Sequence, residues 1–415
     1  MEKPRSALST GLMTTAVFLG QAIGMAGSVS FPALQPFFAH LWSLSDVQSG
    51  FISGVYFAGY ILAVPLLSAL TDRIDPRRIY FSSLLFGAAA ALGFALLSGG
   101  PASASLWRFL QGAAFGGSHM PGMRALSDAV PKQREARSVA IFTSTFTVGV
   151  SLSYALSGVL AEAFGWRLGF AFLSLGPLVA AGVAALVLPP LPRPVGAGAS
   201  WLPSFKPLFR NRRALLFVCA YGFHNGEVSA LRAWLVAILV FACDRAGRAD
   251  LASYAALVAM FANLCATPLI ILVNELAAKR ERRRVIAATM AVSALGGLLL
   301  ASAAAFSPYA AALAAILSIT AATADSGTIN AGLVAAAEPE RRGAFLGIQA
   351  LSGFGASALS PILFGFVLDL GGGSGREEAW IAAFALQASL NFLWPLFQFL
   401  TGKKERAQER SDPSS

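Results

Sequence analysis

One apolar stretch, residues 214–241, carries side chains that could handle a charged solute or a proton. It contains His224, Asn225, Glu227 and Arg232 where only lipid-like residues are expected. An ionised side chain near the centre of a bilayer costs about 2.5 to 3.5 kcal/mol, so such groups face a water-filled or protein-lined interior. This stretch is therefore predicted to form the wall of a solute pathway.

Helical geometry divides these polar residues into two stripes. At about 100° per residue, Asn225, Ser229 and Arg232 share one stripe, and His224 and Glu227 share another. We expect one stripe to line a cavity and the other to meet a neighbouring helix, unless glycines let the helix bend or unwind. The alternative is that all these groups only join adjacent helices.

A second embedded cation, Arg108, is the strongest single candidate for solute binding. Its guanidinium stays charged and offers a planar fork of donors suited to a carboxylate, although it could instead hold helix carbonyls or a neighbouring acid. Arg232 offers the same chemistry, or could snorkel towards the nearby membrane surface. Two facing cations favour an anionic solute. Three amides could bind solute or join helices: Gln111, Asn225 and Asn330.

Four ionisable residues are candidates for carrying protons. Glu227 is the leading one, because a carboxyl group desolvated among apolar helices exchanges its proton in a different pH range from one in water. A fixed pairing with an arginine is its alternative. Asp325 is a second candidate of the same kind, and His224 and His119 could relay protons or simply pack against other residues.

The composition identifies the class of protein that surrounds these residues. The chain has 415 residues, of which 56% are hydrophobic and 13% charged, against about 25% charged in soluble domains. This is a polytopic membrane protein. The net charge of +10 lies in short clusters between apolar runs, which does not fit a nucleic-acid-binding surface. Three cysteines are interpreted as small packing residues without disulfide or metal-ligand spacing: Cys219, Cys243 and Cys265.

Apolar runs of about 20 residues predict an all-α membrane protein with twelve transmembrane helices. The proline-rich run Pro-Pro-Leu-Pro-Arg-Pro ends a helix and predicts a linker at residues 189–213. This linker joins two predicted six-helix bundles, 1–188 and 214–401, and a tail follows at 402–415. Aromatic and basic residues in 201–213 indicate a segment on the membrane surface or a solvated loop. The runs are 11–36, 47–70, 78–98, 103–127, 137–163, 167–188, 214–241, 251–275, 285–305, 309–334, 343–369 and 378–400.

Charge and repetition give the orientation and the symmetry. Lys and Arg concentrate at the termini and in every second loop, so both termini are predicted to be cytoplasmic. The loop at 68–78 recurs at 274–284, and Pro131 with its following charges recurs at Pro339. Such a duplication is typical of transporters with a solute site between two halves.

Several motifs resemble those of the major facilitator superfamily over essentially the whole chain. Its signature Gly-x-Leu-Ala-Asp-Arg-x-Gly-Arg-Arg lies between the second and third helices; here Ser68 replaces the first glycine and Asp75-Pro76 the second. The run Arg108-Phe-Leu-Gln-Gly112 is similar to the family's Arg-x-x-Gln-Gly, and Gly165-Trp-Arg-Leu-Gly-Phe170 to a common sixth-span sequence. The matching signature residues are Leu70, Asp72, Arg73, Arg77 and Arg78.

The resemblance implies roles for that loop and narrows the type of transporter. It implies a cytoplasmic gate at Asp72, Arg73, Arg77 and Arg78, with the acid pairing across the two halves. The run 149–154 lacks the proline of the antiporter signature, which weakens the case for drug-proton antiport. The general pattern resembles bacterial permeases of the cyanate- and nitrate-like type, but the arginines of the nitrate branch in spans two and eight are absent.

These observations favour a proton-coupled secondary transporter of a small organic solute, an anion, working by alternating access. An exporter of hydrophobic or cationic compounds is the alternative hypothesis, and a non-transporting membrane sensor is a third hypothesis. No enzyme or cofactor motif is present. The expected partners are the solute, protons and the lipid bilayer, not nucleic acid. The expected form is a monomer in the cytoplasmic membrane of a bacterium.

Overall fold

The computed structural model describes residues 9–190, 211–338 and 342–411, and every regular element in those ranges is a helix. We number the helices by membrane crossing, so one crossing can contain more than one helical segment. The first half contains α1 (Thr10–Gly24, Ser30–Ala33 and Gln35–Leu41), α2 (Asp46–Leu70), α3 (Pro76–Leu97), α4 (Pro101–Ala129), α5 (Lys132–Thr143 and Thr145–Phe164) and α6 (Trp166–Leu173 and Leu175–Val187).

The second half repeats this plan of six crossings. A short 3-10 turn, Ala249–Tyr254, precedes its second helix. Its helices are α7 (Arg212–Arg245), α8 (Ala255–Lys279), α9 (Arg282–Phe306), α10 (Pro308–Thr323 and Ser326–Ala336), α11 (Arg342–Leu370) and α12 (Glu377–Ser411).

The predicted apolar runs each correspond to one of these crossings. Ten crossings in the described ranges are long and apolar enough to span a membrane on their own. The other two are α1, which is broken after Gly24, and α4, whose hydropathy is lowered by Arg108, His119 and Arg124. Helix α7 is unbroken for 34 residues, so the glycines in it do not unwind it.

Local sequence signals begin and end the helices. Ser45 starts α2 with a capping box, in which its hydroxyl accepts from the Gln48 backbone N–H and the Gln48 side chain accepts from the Ser45 N–H. Asp75 and Ser307 cap helices whose first residue is proline, where the missing N–H costs nothing. Side-chain caps therefore satisfy N–H groups that would otherwise be unpaired at these helix starts.

Glycines bring α2 and α4 into close contact inside the first half. A Cβ atom on Gly112 would lie 1.7 Å from the carbonyl oxygen of Tyr56, and one on Gly59 would lie 2.0 Å from that of Phe109. No larger residue fits at either position without separating the helices. Small residues of this kind are what allow membrane helices to approach closely.

Glycines also join the two halves where α2 crosses α11. A Cβ on Gly54 would lie 2.1 Å from the Ala358 carbonyl oxygen, and one on Gly50 would lie 2.2 Å from that of Pro361. At the end of this crossing the Asp369 carboxylate of α11 accepts from the first N–H groups of α2, at 2.9 Å from the nitrogens of Asp46 and Val47. The Asp46 end of the molecule is thus closed between the halves.

The predicted connections and cysteines differ in how far the structure describes them. Most of the linker at 189–213, with its predicted surface segment, lies outside the described residues, as do the ends of the predicted first bundle and tail.

The cysteines are free: Cys243 is buried and Cys219 half-buried, but Cys265 is exposed. The prediction of three packing residues is therefore wrong for Cys265, because it lies on the outer face of α8.

Candidate functional site

A cavity lies between the two halves and has walls from both. Its lining comes from α1, α2, α4 and α5 in the first half and from α7 and α11 in the second. All the space between the atom surfaces of its walls, including the part that is open to solvent, amounts to about 620 Å³. The polar residues of the lining include Ser28, Tyr56, Arg108, Asn225, Ser229 and Arg232.

Arg108 reaches this cavity from α4 and is 2% exposed. Its Nη1 donates to Gln111 Oε1 and its Nη2 to the Ser28 carbonyl, both at 2.8 Å. The guanidinium carbon lies 4.6 Å from the centre of the Tyr56 ring, close enough for a cation–π contact. These neutral partners fix the orientation of the guanidinium without neutralising it.

Arg232 reaches the same cavity from α7. Its Nε donates to Asn263 Oδ1 at 2.9 Å, and its guanidinium carbon lies 5.2 Å from the centre of the Phe146 ring in the other half. Tyr154, also in the other half, donates its hydroxyl to the Arg232 carbonyl. The side chain is therefore held between the halves and does not snorkel towards the surface.

Within the part of the chain that the structure describes, no acid forms an ion pair with either of these cations. Among the described residues, the ion pairs are formed by other arginines and one histidine, and none includes Arg108 or Arg232. A buried charge without a partner is strongly unfavourable, so an anion in the cavity would be bound with a large electrostatic gain. The site is chemically suited to a carboxylate or a similar oxyanion.

The two predicted stripes of α7 are confirmed by the direction of their side chains. Asn225, Ser229 and Arg232 line the cavity. Glu227 and His224 point into the second half, where each is bound by a residue of a neighbouring helix. The two stripes thus have different surroundings: the Asn225 stripe faces the cavity, and the Glu227 stripe is enclosed by helices of the second half.

The enclosed stripe forms a buried polar cluster. Glu227 accepts a hydrogen bond from the Ser293 hydroxyl of α9. His224 Nδ1 lies 2.6 Å from Asp325 Oδ1 of α10. All four side chains are buried, and none of them lines the cavity. The cluster brings together three of the four residues predicted to carry protons.

The remaining site predictions have different outcomes. Gln111 lies beside the site and holds Arg108. His119, the fourth predicted proton carrier, is buried between the rings of Phe115 and Phe142, 5.3 and 5.5 Å away, apart from the Glu227 cluster. Asn330 is exposed and lines no part of this cavity, because the adjacent Thr328 and Ile329 take the buried face of α10. The geometry therefore gives Asn330 no place at the site.

The predicted gate loop makes a different ion pair from the one expected. Asp72 Oδ1 lies 2.6 Å from Arg124 Nη1 of α4, in the same half. The prediction that Asp72 pairs across the two halves is therefore wrong for this conformation. Arg77 donates to carbonyls at the end of α6, Arg78 is exposed, and Arg73 belongs to the same loop. Asp72 pairs locally because Arg124 lies on the adjacent helix end.

Four residues at these sites were not identified from the sequence. Arg124 lies inside the fourth predicted run, and its position one helical turn before Asp128 was a usable signal. Asn263, Ser293 and Tyr56 carry no comparable signal, because single polar or aromatic residues on apolar helices are common. Only the packing of the helices shows that they contact Arg232, Glu227 and Arg108.

Comparison with known proteins gives the family of the chain. A model described as "Major Facilitator Superfamily" matches residues 16–270 and 249–415. A bacterial homolog of the human lysosomal transporter Spinster, inward-facing and unoccupied, has a TM-score of 0.75 at 15% identity, covering 96% of this chain and 98% of that one. The nucleoside transporter NupG has a TM-score of 0.71 at 15% identity, covering 94% and 99%. At such identities the likeness shows the fold.

Curated relatives match only parts of the chain. The niacin transporter NiaP of Acinetobacter baylyi is 26% identical over 31% of this chain and 29% of its own length. The benzoate transport protein of the same species is 26% identical over 33% and 30%. The MFS-type transporter clz19 of Cochliobolus lunatus is 32% identical over 28% and 22%. The matched part thus spans less than a third of each of these relatives.

Proposed function

Because the chain belongs to the Major Facilitator Superfamily and is a multi-pass secondary transporter, we propose that it moves a small organic anion with protons by alternating access. One observation carries this proposal. Arg108 and Arg232, from opposite halves, face one cavity, and neither has an ion-pair partner among the described residues. A rocking motion of the halves would make and break the bridge between an anion and the two cations.

The names of the relatives support an organic anion without defining it. Niacin and benzoate, the solutes named for two of them, are both carboxylic acids. Nucleosides and colistin appear in the names of others, so the family alone does not select a solute. The reported relatives include none of the cyanate- or nitrate-like type, and that finer resemblance stays a prediction.

The proton would be carried by the buried cluster in the second half. Glu227 has an exchangeable proton, and the His224–Asp325 pair beside it can take up or release another. The cavity residues and the cluster residues lie on two faces of the same helix, α7. A small rotation or tilt of α7 would therefore affect both solute binding and proton binding, which is what coupling requires.

The cellular setting is part of the same proposal. The chain would act as a monomer in the cytoplasmic membrane of a bacterium with both termini inside, as the distribution of Lys and Arg indicates. The loop with Asp72, Arg73, Arg77 and Arg78 would then face the cytoplasm and act as its gate. In the present conformation the opposite end is the one closed between α2 and α11.

Flux measurements in liposomes test this function. Purified protein is reconstituted with a pH-sensitive dye inside, and organic carboxylates, sulfonates and cations are added in turn. We expect anion-dependent proton flux that falls at least about tenfold in Arg108→Ala and Arg232→Ala, the loss that corresponds to about 1.4 kcal/mol. The control is Arg245→Ala, which removes an exposed ion pair with Glu377.

The pattern of solutes separates the proposal from its alternatives. Flux driven by cations, and unchanged in both arginine variants, would show an exporter of cationic compounds instead. Anion binding without any flux in the wild type would indicate a sensor. Either result would overturn the proposal.

A further inference from the structure

Apart from its two arginines, the cavity is mainly apolar and aromatic. Tyr56 and Phe57 of α2, Phe146 of α5 and Phe354 of α11 all belong to its lining. The rings of Phe57 and Phe354 are stacked across the halves with centres 6.1 Å apart. A solute body that filled this space would therefore be in contact with aromatic faces from both halves.

Three serine hydroxyls of the lining already donate hydrogen bonds within the protein. Ser53 donates to the Ser49 carbonyl, and Ser229 donates to the Ser357 carbonyl at 2.8 Å. Ser357 in turn donates to the Asn225 carbonyl. A solute with many hydroxyl groups would find few free donors here for its own oxygen atoms, and polar groups buried without a partner weaken binding.

Two polar groups at the Arg108 end of the cavity are not used by the rest of the protein. Its Nε and the Ser28 hydroxyl are both buried without a hydrogen-bond partner. The Nε can donate a charge-assisted hydrogen bond to one oxygen of a carboxylate. The Ser28 hydroxyl can donate a further bond. One end of the cavity is therefore built for a single oxyanion.

The aromatic rings connect the two cations. Tyr56 lies beneath Arg108 and packs against Phe115 with centres 6.0 Å apart, and Phe115 lies 6.1 Å from Phe146, which faces Arg232. Phe115 does not line the cavity, so a flat ring bound between the arginines would contact Tyr56 at one end and Phe146 at the other. Such aromatic contacts strengthen binding beyond the effect of the apolar area that they bury.

We infer that the solute is an aromatic monocarboxylate of about one ring, whose carboxylate binds Arg108 and Ser28 while its ring packs against Phe57, Phe146 and Phe354. This inference rests on the proposed transport of an anion and names its class. It excludes sugar acids and short aliphatic acids as preferred solutes, because they have no aromatic ring to contact this lining. It excludes nucleosides, because they carry no negative charge for the arginines to bind.

Binding of defined probes to the purified full-length protein tests the inference. Benzoate is compared with benzamide, which keeps the ring but lacks the charge, with butanoate, which keeps the charge but lacks the ring, and with gluconate, which adds hydroxyl groups. Stabilisation against heating and isothermal titration report the affinities. We expect benzoate to bind at least about tenfold more tightly than each of the others.

Aromatic variants test the position of the ring. Phe146→Leu and Phe354→Leu should weaken benzoate binding several-fold and leave butanoate binding unchanged, since only the aromatic contact is lost. Phe384→Leu removes a buried ring from the second half that does not line the cavity, and should leave both affinities unchanged. A lower melting temperature in all three variants with unchanged benzoate affinity would overturn the placement.

The outcomes separate this inference from the proposed function. Preferred binding of butanoate or gluconate, lost in Arg108→Ala, would overturn the aromatic class and leave anion transport intact. Equal binding of benzamide and benzoate, or binding of benzylamine alone, would overturn both. Tight benzoate binding that depends on Arg108 and Phe146 is the result we expect.

Discussion

At the scale of residues, the surroundings of an arginine decide what it does. Arg167 donates to three carbonyls at the end of α3, at 3.0 to 3.1 Å, and covers the Trp166 ring. Its donors are largely consumed, so it is a structural residue. Arg108 is buried whereas Arg167 is exposed, and Arg108 has an unpartnered Nε and lies against a cavity. The same residue type therefore closes a helix end in one place and offers a site in another.

Glu227 is expected to carry the coupled proton. In Glu227→Gln the amide oxygen can still accept from Ser293, but the exchangeable proton is lost. Uptake of radiolabelled benzoate driven by a pH gradient should fall at least about tenfold, while exchange of benzoate across the membrane without a gradient should persist. The control is Glu162→Gln, because Glu162 is exposed on α5.

The two assays together give a clear result for Glu227. Gradient-driven uptake that survives in Glu227→Gln would remove this residue from the coupling step. Loss of exchange as well as uptake would assign it to the structure of the second half, since Ser293 and the neighbouring His224–Asp325 pair depend on the same packing.

At the scale of elements, glycines set two contacts of α2 that have different consequences. Gly112 brings α4 against α2 inside one half, whereas Gly54 brings α2 against α11 of the other half. The first contact must persist in every conformation if a half moves as a rigid body. The second must open if the halves rock. Asp369, which binds the N-terminal end of α2, belongs to this second contact.

Alanine at these glycines should therefore have two different effects. Gly54→Ala forces its Cβ towards the Ala358 carbonyl, and crowding of this kind costs about 1 to 3 kcal/mol. This cost should shift the equilibrium away from the present conformation. In a variant with Ser53→Cys and its native cysteines replaced, labelling by an impermeant maleimide from the Asp46 side should become about tenfold faster.

Gly112→Ala provides the matched comparison within one half. It should lower the melting temperature of the protein without increasing the labelling of Ser53→Cys, because both conformations need the contact with Tyr56. Faster labelling of Ser53→Cys in Gly112→Ala would contradict the assignment of these contacts to a rigid half and a moving interface. An unchanged labelling rate in Gly54→Ala would contradict it as well.

At the scale of the whole molecule, two six-helix halves enclose the site between them. Each half has a buried cluster of large side chains of its own, such as Phe31, Phe38 and Phe94 in the first and Phe217, Phe345 and Trp394 in the second. Between the halves lies a cavity with cations on both walls. Two bundles with a cavity between them are the arrangement that alternating access needs.

The orientation of the molecule can be measured with reporters and single cysteines. A green fluorescent protein fused after Ser415 should fluoresce, since it folds in the cytoplasm. Cysteines at Gly99 and Gly247, in loops at the other end, should react with impermeant maleimide in intact cells, whereas one at Arg73 should react only after lysis. The reverse pattern would invert the proposed topology and the side assigned to the gate.

The sequence by itself determined the class, the number of crossings and the stripes of α7. These features are local: hydropathy over about 20 residues marks a crossing, and a period of 3.6 residues places side chains on a helix face. The two arginines stood out because charge is so costly in an apolar run. The boundaries of the twelve crossings therefore agree with the predicted runs to within a few residues for most helices.

Only the tertiary structure decided which helices meet and which side chains share a space. It placed Arg108 and Arg232 in one cavity, gave Asp72 the partner Arg124, and left Asn330 exposed. Such outcomes depend on the rotation and close approach of helices far apart in the chain, which are set by the fit of glycines against distant backbone atoms. No local sequence pattern predicts that fit, because whether a glycine is required depends on which distant backbone atom lies against it.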